Sequence, residues 1–193
     1  MSLDSLTITE RNVHEIRFCG FGGQGVILAG YITGKAVAII EDRHATLTRS
    51  FGPESRGGAC AASVVIGDER VDYPFLHKLD ILVAMSQAAY LENIDQLVPG
   101  GTLIYERDLV ELDKPRDGIR ACGVPATKIA VDLGKRIVLN IVMLGFFTEV
   151  TKVISPDSMR EALLDSVPPG TEELNINAFN RGYEFGAEHI LTE

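Results

Sequence analysis

Ile16 and Phe18 alternate with Arg17 and Cys19, a period of two that predicts a short strand half-buried on a sheet. A glycine-rich turn follows at once, and an apolar run from Val26 then predicts a helix reaching about Ile40. Further strands are predicted at 45–49, 59–66, 80–85 and 102–105, with a short one at 119–122. Gly52-Pro53 and Gly57-Gly58 surround one loop, and Pro99-Gly100-Gly101 reads as a turn. The charged stretch 106–118, with Pro115 and Gly118, reads as an exposed connection. Ser86-Gln87 leads into a short helix, and the last third is helical at 126–133, 137–148, 156–165 and 172–188. Pro156 suits a first helical turn, where its missing amide donor costs little. No repeat or flexible linker interrupts the pattern, so a single domain over 1–193 is expected, with residues 1–14 the stretch expected to fray.

Composition narrows this picture. A chain of 193 residues that is 46% hydrophobic can bury one substantial core. No apolar run reaches the ~18 residues of a membrane helix. The longest, Ile137 to Phe147, is broken by Asn140. The start lacks a basic region followed by an apolar one, so no signal peptide is expected. Eighteen basic residues against 27 acidic ones give a formal net charge of −9, and no basic stripe carries stacking aromatics, which disfavours nucleic acid. Cys19, Cys60 and Cys122 are odd in number and widely spaced. They read as reduced thiols of a cytoplasmic protein rather than as ligands of zinc or an iron–sulfur cluster. His14, His44, His77 and His189 are equally dispersed, and no metal site is expected.

Gly20, Gly22 and Gly25 fit G-x-G-x-x-G between a predicted strand and a predicted helix. Glycine permits a tight turn and close phosphate approach, and the free amides at a helix start favour an anion. The expected architecture is accordingly α/β, a three-layer Rossmann-like twisted sheet, mostly parallel, with helices on both faces. A dinucleotide needs an acid at the end of the second strand, whereas Glu41 and Asp42 precede the best candidate for that strand. Three readings of the turn stay open: backbone packing against the chain or a partner, binding part of a phosphate-bearing cofactor at an interface, and binding NAD or FAD.

Four segments together carry a family pattern: Gly20-Phe21-Gly22-Gly23-Gln24-Gly25, Ser50-Phe51-Gly52-Pro53-Glu54-Ser55-Arg56-Gly57-Gly58, Val124-Pro125-Ala126-Thr127-Lys128-Ile129-Ala130, and Asn140 with Met143-Leu144-Gly145. Over about residues 15–186 they resemble the gamma subunit, or gamma domain, of 2-oxoacid:ferredoxin or flavodoxin oxidoreductases. Phe51 stands where many relatives carry tyrosine. The resemblance implies a subunit of a complex that oxidatively decarboxylates a 2-oxoacid onto coenzyme A. It implies thiamine diphosphate, magnesium and iron–sulfur clusters in that complex, coenzyme A as substrate, and none of these groups held by this chain. The implied partners are alpha and beta thiamine-binding subunits, a ferredoxin-like delta subunit, and ferredoxin or flavodoxin as acceptor. The isolated chain could also pair with itself. 2-Oxoglutarate is the first expectation for the substrate and pyruvate the second. A freestanding NAD- or FAD-binding enzyme and a regulatory scaffold are the alternatives.

The residues expected to bind cofactor or face a partner are Gly20, Gly22, Gly23, Gln24, Gly25, Glu54, Ser55, Arg56, Gly57, Gly58 and Asn140. Arg56 could clamp a carboxylate or phosphate, or pair with Glu54 or a partner acid. Ser55 has no histidine–acid series to activate it. Asn140, inside an apolar helix, is expected to satisfy a loop carbonyl or cap a neighbouring element. Thr127 and Lys128 could help a helix start or a contact, and no residue of the chain is expected to be catalytic.

Overall fold

The computed structural model describes residues 13–53, 57–71, 78–112 and 116–190. The elements run β1 (Val13–Phe21), α1 (Val26–Lys35), β2 (His44–Phe51), β3 (Ala59–Gly67), β4 (Leu79–Ala84), α2 (Gln87–Asn93), β5 (Leu97–Glu106), β6 (Arg120–Val124), α3 (Ala126–Asp132), α4 (Leu139–Thr151), α5 (Pro156–Leu164) and α6 (Glu172–Ile190). A π-helical stretch, Ala36–Ile40, continues α1, and a short 3₁₀ turn, Arg136–Val138, precedes α4. Ser155 starts α5 by accepting from the Ser158 amide at 3.0 Å, with Pro156 in the first turn.

The described strands form one sheet in the order β2-β3-β1-β4-β5-β6. β1, β4, β5 and β6 are parallel neighbours, while β3 runs antiparallel to both β1 and β2. Only β3 therefore opposes the common direction, and the sheet is mostly parallel. After α1 the chain does not return beside β1. It enters the edge strand β2, and β3 comes back between β2 and β1. The connection 52–58 is too short to hold the crossover that a parallel pair needs, so its two strands must pair antiparallel.

The period of two sends alternate residues to opposite faces. Ile16, Phe18, Val64, Ile81, Val83 and Ile104 join the larger core under α1 and α3 to α6. Cys19, Leu82, Ala84 and Leu103 meet Ala89, Tyr90 and Ile94 on the other face, which among the described residues is covered by the short α2 and the 3₁₀ turn that follows it. α4 runs through the larger core, buried along nearly its whole length. Its Gly145 lies against α6, where an added β-carbon would strike the Phe179 carbonyl; Gly182 of α6 faces the Val142 carbonyl in the same way. The two helices touch backbone to backbone.

One boundary differs from the sequence pattern in an informative way. Pro99-Gly100-Gly101 is an irregularity inside β5: Leu79 pairs with Leu97, but Ile81 already pairs with Thr102. β5 also extends to Glu106, which is fully buried rather than part of an exposed connection.

Candidate functional site

The glycine turn sits at the carboxyl ends of β1 and β4, and a side chain closes it from within. Gln24 donates its amide to the Phe21 carbonyl at 3.1 Å, and its Oε1 accepts from the Phe21 amide at 2.6 Å. Gln24 Nε2 then donates to the Met85 carbonyl at 2.9 Å, while the Met85 amide donates to the Cys19 carbonyl at 2.9 Å. Gln24 thus ties two strand ends together and keeps little for a ligand. A β-carbon on Gly20 would occupy the place of Gln24 Oε1.

Two other segments converge on this turn. The Gly22 amide donates to the Gly58 carbonyl at 2.8 Å, so the two glycine-rich stretches run backbone to backbone. A β-carbon on Gly22 would stand 3.3 Å from the Gly57 nitrogen, which leaves almost no slack. Gly25 caps α1 at φ 75°, a conformation that a side chain disfavours, and Gly23 is also left-handed at φ 95°. Asn140 Nδ2 donates to the Gly25 carbonyl at 3.3 Å, and a β-carbon at Gly25 would collide with that carboxamide. Asn140 therefore serves a loop carbonyl from inside α4. Glu54, Ser55 and Arg56 lie outside the described residues, as does His77.

Together these segments border a cavity of about 850 Å³. Gly22, Gly23, Gly25, Gly57, Gly58 and Asn140 all line it. Sequence reasoning missed the other half of the wall, which comes from Phe51, Cys60, Ile137, Leu174 and Asn175. No pattern joined the 167–175 segment to the turn, because the approach of α6 depends on Gly145 and Gly182 rather than on any motif near Asn175. None of the described lining residues is charged. Phe51 and Ile137 stand on the cavity wall at 69% and 74% exposure.

The chemistry of this wall is restrained. Cys60 lines the cavity, and burial pushes its thiol up, which makes it a poor nucleophile. Among the described residues, no three His, Cys, Asp or Glu side chains converge as a metal site would require. A dinucleotide would meet no acid among the described lining residues. Glu41 is spent elsewhere: its Oε1 accepts from the Ser155 amide at 2.8 Å and its Oε2 pairs with Arg43 at 3.2 Å. The strand after α1 is also the sheet edge and does not adjoin β1.

The Val124–Ala130 segment has a different job. The Thr127 amide, not its hydroxyl, is used: it donates to Glu106 Oε1 at 2.9 Å, fastening the start of α3 to the end of β5. Glu106 Oε2 and Thr127 Oγ1 are both buried without a hydrogen-bond partner among the described residues. The preceding charged run concealed Glu106 from sequence reading.

Comparison with known proteins gives a consistent result. Residues 15–185 match the family described as pyruvate ferredoxin/flavodoxin oxidoreductase. The 2-oxoglutarate synthase subunit KorC of Methanocaldococcus jannaschii is 49% identical over 90% of this chain and 94% of its own length. The solved gamma subunit of a keto/oxoacid ferredoxin oxidoreductase from Geobacter sulfurreducens is 37% identical, with a TM-score of 0.80, over 91% of this chain and 99% of that one. A chain of 2-oxoglutarate:ferredoxin oxidoreductase from Magnetococcus marinus superposes with a TM-score of 0.81 at 24% identity, a likeness of fold. That match covers 93% of this chain but 32% of the other.

Proposed function

The chain belongs to the pyruvate ferredoxin/flavodoxin oxidoreductase family, and on that premise we propose that it is the gamma-type subunit of a complex oxidising 2-oxoglutarate. It is a 2-oxoacid:ferredoxin oxidoreductase subunit, as its relatives are. The complex would convert the 2-oxoacid and coenzyme A to an acyl-CoA and carbon dioxide, passing two electrons to ferredoxin or flavodoxin. Thiamine diphosphate with magnesium supplies the carbanion chemistry in partner subunits of alpha and beta type, and iron–sulfur clusters there or in a delta-type subunit carry the electrons. 2-Oxoglutarate is preferred over pyruvate because KorC, at 49% identity, is named for it.

The observation that carries this reading is the convergence at the carboxyl end of the sheet. Two glycine-rich backbones and the buried Asn140 form one wall of an uncharged cavity whose apolar rim is exposed. In open α/β sheets this end is where binding occurs. A surface so built has work to do only when something covers it. The Magnetococcus chain lends support, since a unit of this fold is there about a third of a longer polypeptide. The relatives named as subunits support a covering component that is another subunit, and the shared site is expected to work inside the cell. No described helix is long and apolar enough to cross a membrane.

Reconstitution tests the reading. The chain is mixed with thiamine-binding and ferredoxin-like subunits that co-purify with it from the native cell, and acceptor reduction is followed with each 2-oxoacid. The chain alone should be inactive, the full complex active, and 2-oxoglutarate preferred over pyruvate by at least about tenfold in kcat/KM, roughly 1.4 kcal/mol of transition-state discrimination. Full turnover without this chain would refute its role as a subunit, and a preference for pyruvate would refute the substrate.

A further inference from the structure

The short helix α3 turns Ala126, Ile129 and Ala130 inward and leaves Lys128, Val131 and Asp132 on its outer side, where residues three and four apart are neighbours. Gly134, left-handed at φ 84°, ends the helix. Its amide donates to the Val131 carbonyl at 2.8 Å, and the Lys135 amide donates to the Ala130 carbonyl at 3.1 Å. That double closure fixes the path of the backbone. Lys135, Arg136 and Ile137 follow at once, all exposed. The end of α3 is thus a knuckle that carries Lys128, Lys135 and Arg136 beside two apolar side chains, Val131 at 54% exposure and Ile137.

The charge of this knuckle runs against the rest of the chain, whose formal net charge is −9. Other cations are matched within the fold: Lys35 pairs with Asp165, Arg116 with Asp95 and Lys152 with Glu149. Among the described residues, the side chains of Lys128, Lys135 and Arg136 have no ion pair or hydrogen bond, and Asp132, the acid of this stretch, bridges to none of them. From this arrangement we infer that the α3 knuckle docks a carboxylate-bearing, partly apolar patch on the surface of a partner subunit. This docking presupposes the subunit reading above but no particular occupant of the cavity. A small anion is held in a concave site, and none of the three cations lines the large cavity or the smaller one beside Tyr90 and Tyr105. A nucleic-acid backbone calls for a far more extensive basic surface. An acidic protein surface fits both features: Val131 and Ile137 give the contact an apolar centre, and the cations around it find the opposite charge that their own chain does not supply.

Salt and charge substitution test the docking together. Association of the chain with the subunits that co-purify with it is measured at about 50 and about 500 mM salt, a range over which screening between exposed charges changes strongly. Lys135→Gln/Arg136→Gln is compared with Lys78→Glu, which alters an exposed cation just before β4 and changes the net charge by the same amount. The parent's affinity should fall about tenfold across that range, mainly through slower association. Lys135→Gln/Arg136→Gln should bind at least about fivefold more weakly at low salt and lose most of the salt response, while Lys78→Glu stays close to the parent. A parent affinity indifferent to salt overturns the docking without recourse to any variant. Equal weakening by Lys78→Glu overturns it too, because net charge rather than the knuckle is then responsible. Unchanged assembly of Lys135→Gln/Arg136→Gln with a raised KM for coenzyme A gives the cations to the coenzyme's phosphates instead. Sedimentation of the isolated chain supplies the remaining arm: salt-sensitive self-association that the double variant abolishes assigns the knuckle to a second copy, against the proposal. A parent chain that co-elutes with no partner subunit removes the subunit reading itself, and the docking with it.

Discussion

The seam between α4 and α6 and the turn between β1 and α1 are both built on glycine, yet one is closed and the other open. At the seam, Gly145 and Gly182 let two helix backbones touch, and the space between them is gone. At the turn, Gly22 and Gly58 join two loop backbones by a hydrogen bond, but a cavity of about 850 Å³ remains beside them. The difference lies in what flanks the glycines. Around the seam stand Phe146, Phe147 and Phe179, all buried, which complete the packing from within the chain. Around the turn stand Phe51 and Ile137, which are exposed and await completion from outside. On the proposed reading, close backbone approach serves stability where the chain supplies every neighbour, and assembly where it does not.

The seam should accordingly be the more fragile of the two in the isolated chain. Gly145→Val puts a branched side chain where even a β-carbon strikes the Phe179 carbonyl. Overpacking of this kind costs about 3 kcal/mol or more, since neither helix backbone can move alone. Urea denaturation of the isolated variant should show that loss. A loss below about 1 kcal/mol would mean that the helices slide apart easily, and the contrast with the turn would fail.

Within the turn, the glycines should separate by their backbone. Gly25→Ala combines a left-handed φ of 75° with a collision at Asn140, so a loss of about 2 kcal/mol is expected in the isolated chain. Gly22 is not among the left-handed residues, and its added β-carbon would meet only the 3.3 Å gap to Gly57. Gly22→Ala should cost the isolated chain under about 1 kcal/mol, yet weaken partner binding by roughly 1 kcal/mol, because the shifted loop forms the cavity wall. Equal stability losses at the two positions, by the same denaturation measurement, would erase this distinction.

How far these regions could be read in advance follows from what each depends on. Alternation at Ile16 and Phe18 and the apolar runs after Val26 and Ile137 are local signals, and the strands and helices they predict are present. The insertion of β3 between β2 and β1 was not legible, because strand order depends on partners distant in sequence. Of the candidates that stand out in the sequence, Gly22, Gly23, Gly25, Gly57, Gly58 and Asn140 meet at one wall, whereas Gly20 and Gln24 do not reach it. Asn175 and Ile137 did not stand out, since each reaches that wall only through helix packing. Gln24 was legible as a member of the turn but not as its internal brace, a role set by Met85, which is sixty-one residues away in sequence.

A second closed region, the core under α2, and the open turn also differ in their thiols, and this gives the smallest effect at neutral pH. Cys19 is enclosed under α2, with its sulfur facing the Val83 and Ala89 carbonyl oxygens at 3.5 and 3.7 Å. Burial pushes its thiol up to about 12, with a smaller opposing pull from Arg17. The neutral thiol is therefore the form that the fold prefers. Below the unfolded value of about 8.5 both states hold the proton, and Cys19 adds no pH dependence. Above it the unfolded chain loses the proton while the folded chain keeps it, so stability falls as pH rises from about 8.5 toward 12, by at most about 1.4 kcal/mol per unit. Cys19→Ala should remove that slope while lowering neutral-pH stability slightly through the lost sulfur. Urea denaturation of the parent and Cys19→Ala at pH 7, 9 and 10 makes the comparison, and the gap between them should narrow as pH rises. Cys60, on the open wall, is raised in the same direction by burial alone, so Cys60→Ala should leave most of the parent's alkaline slope in place. An alkaline slope that survives Cys19→Ala but vanishes with Cys60→Ala would reverse the assignment of which region is closed.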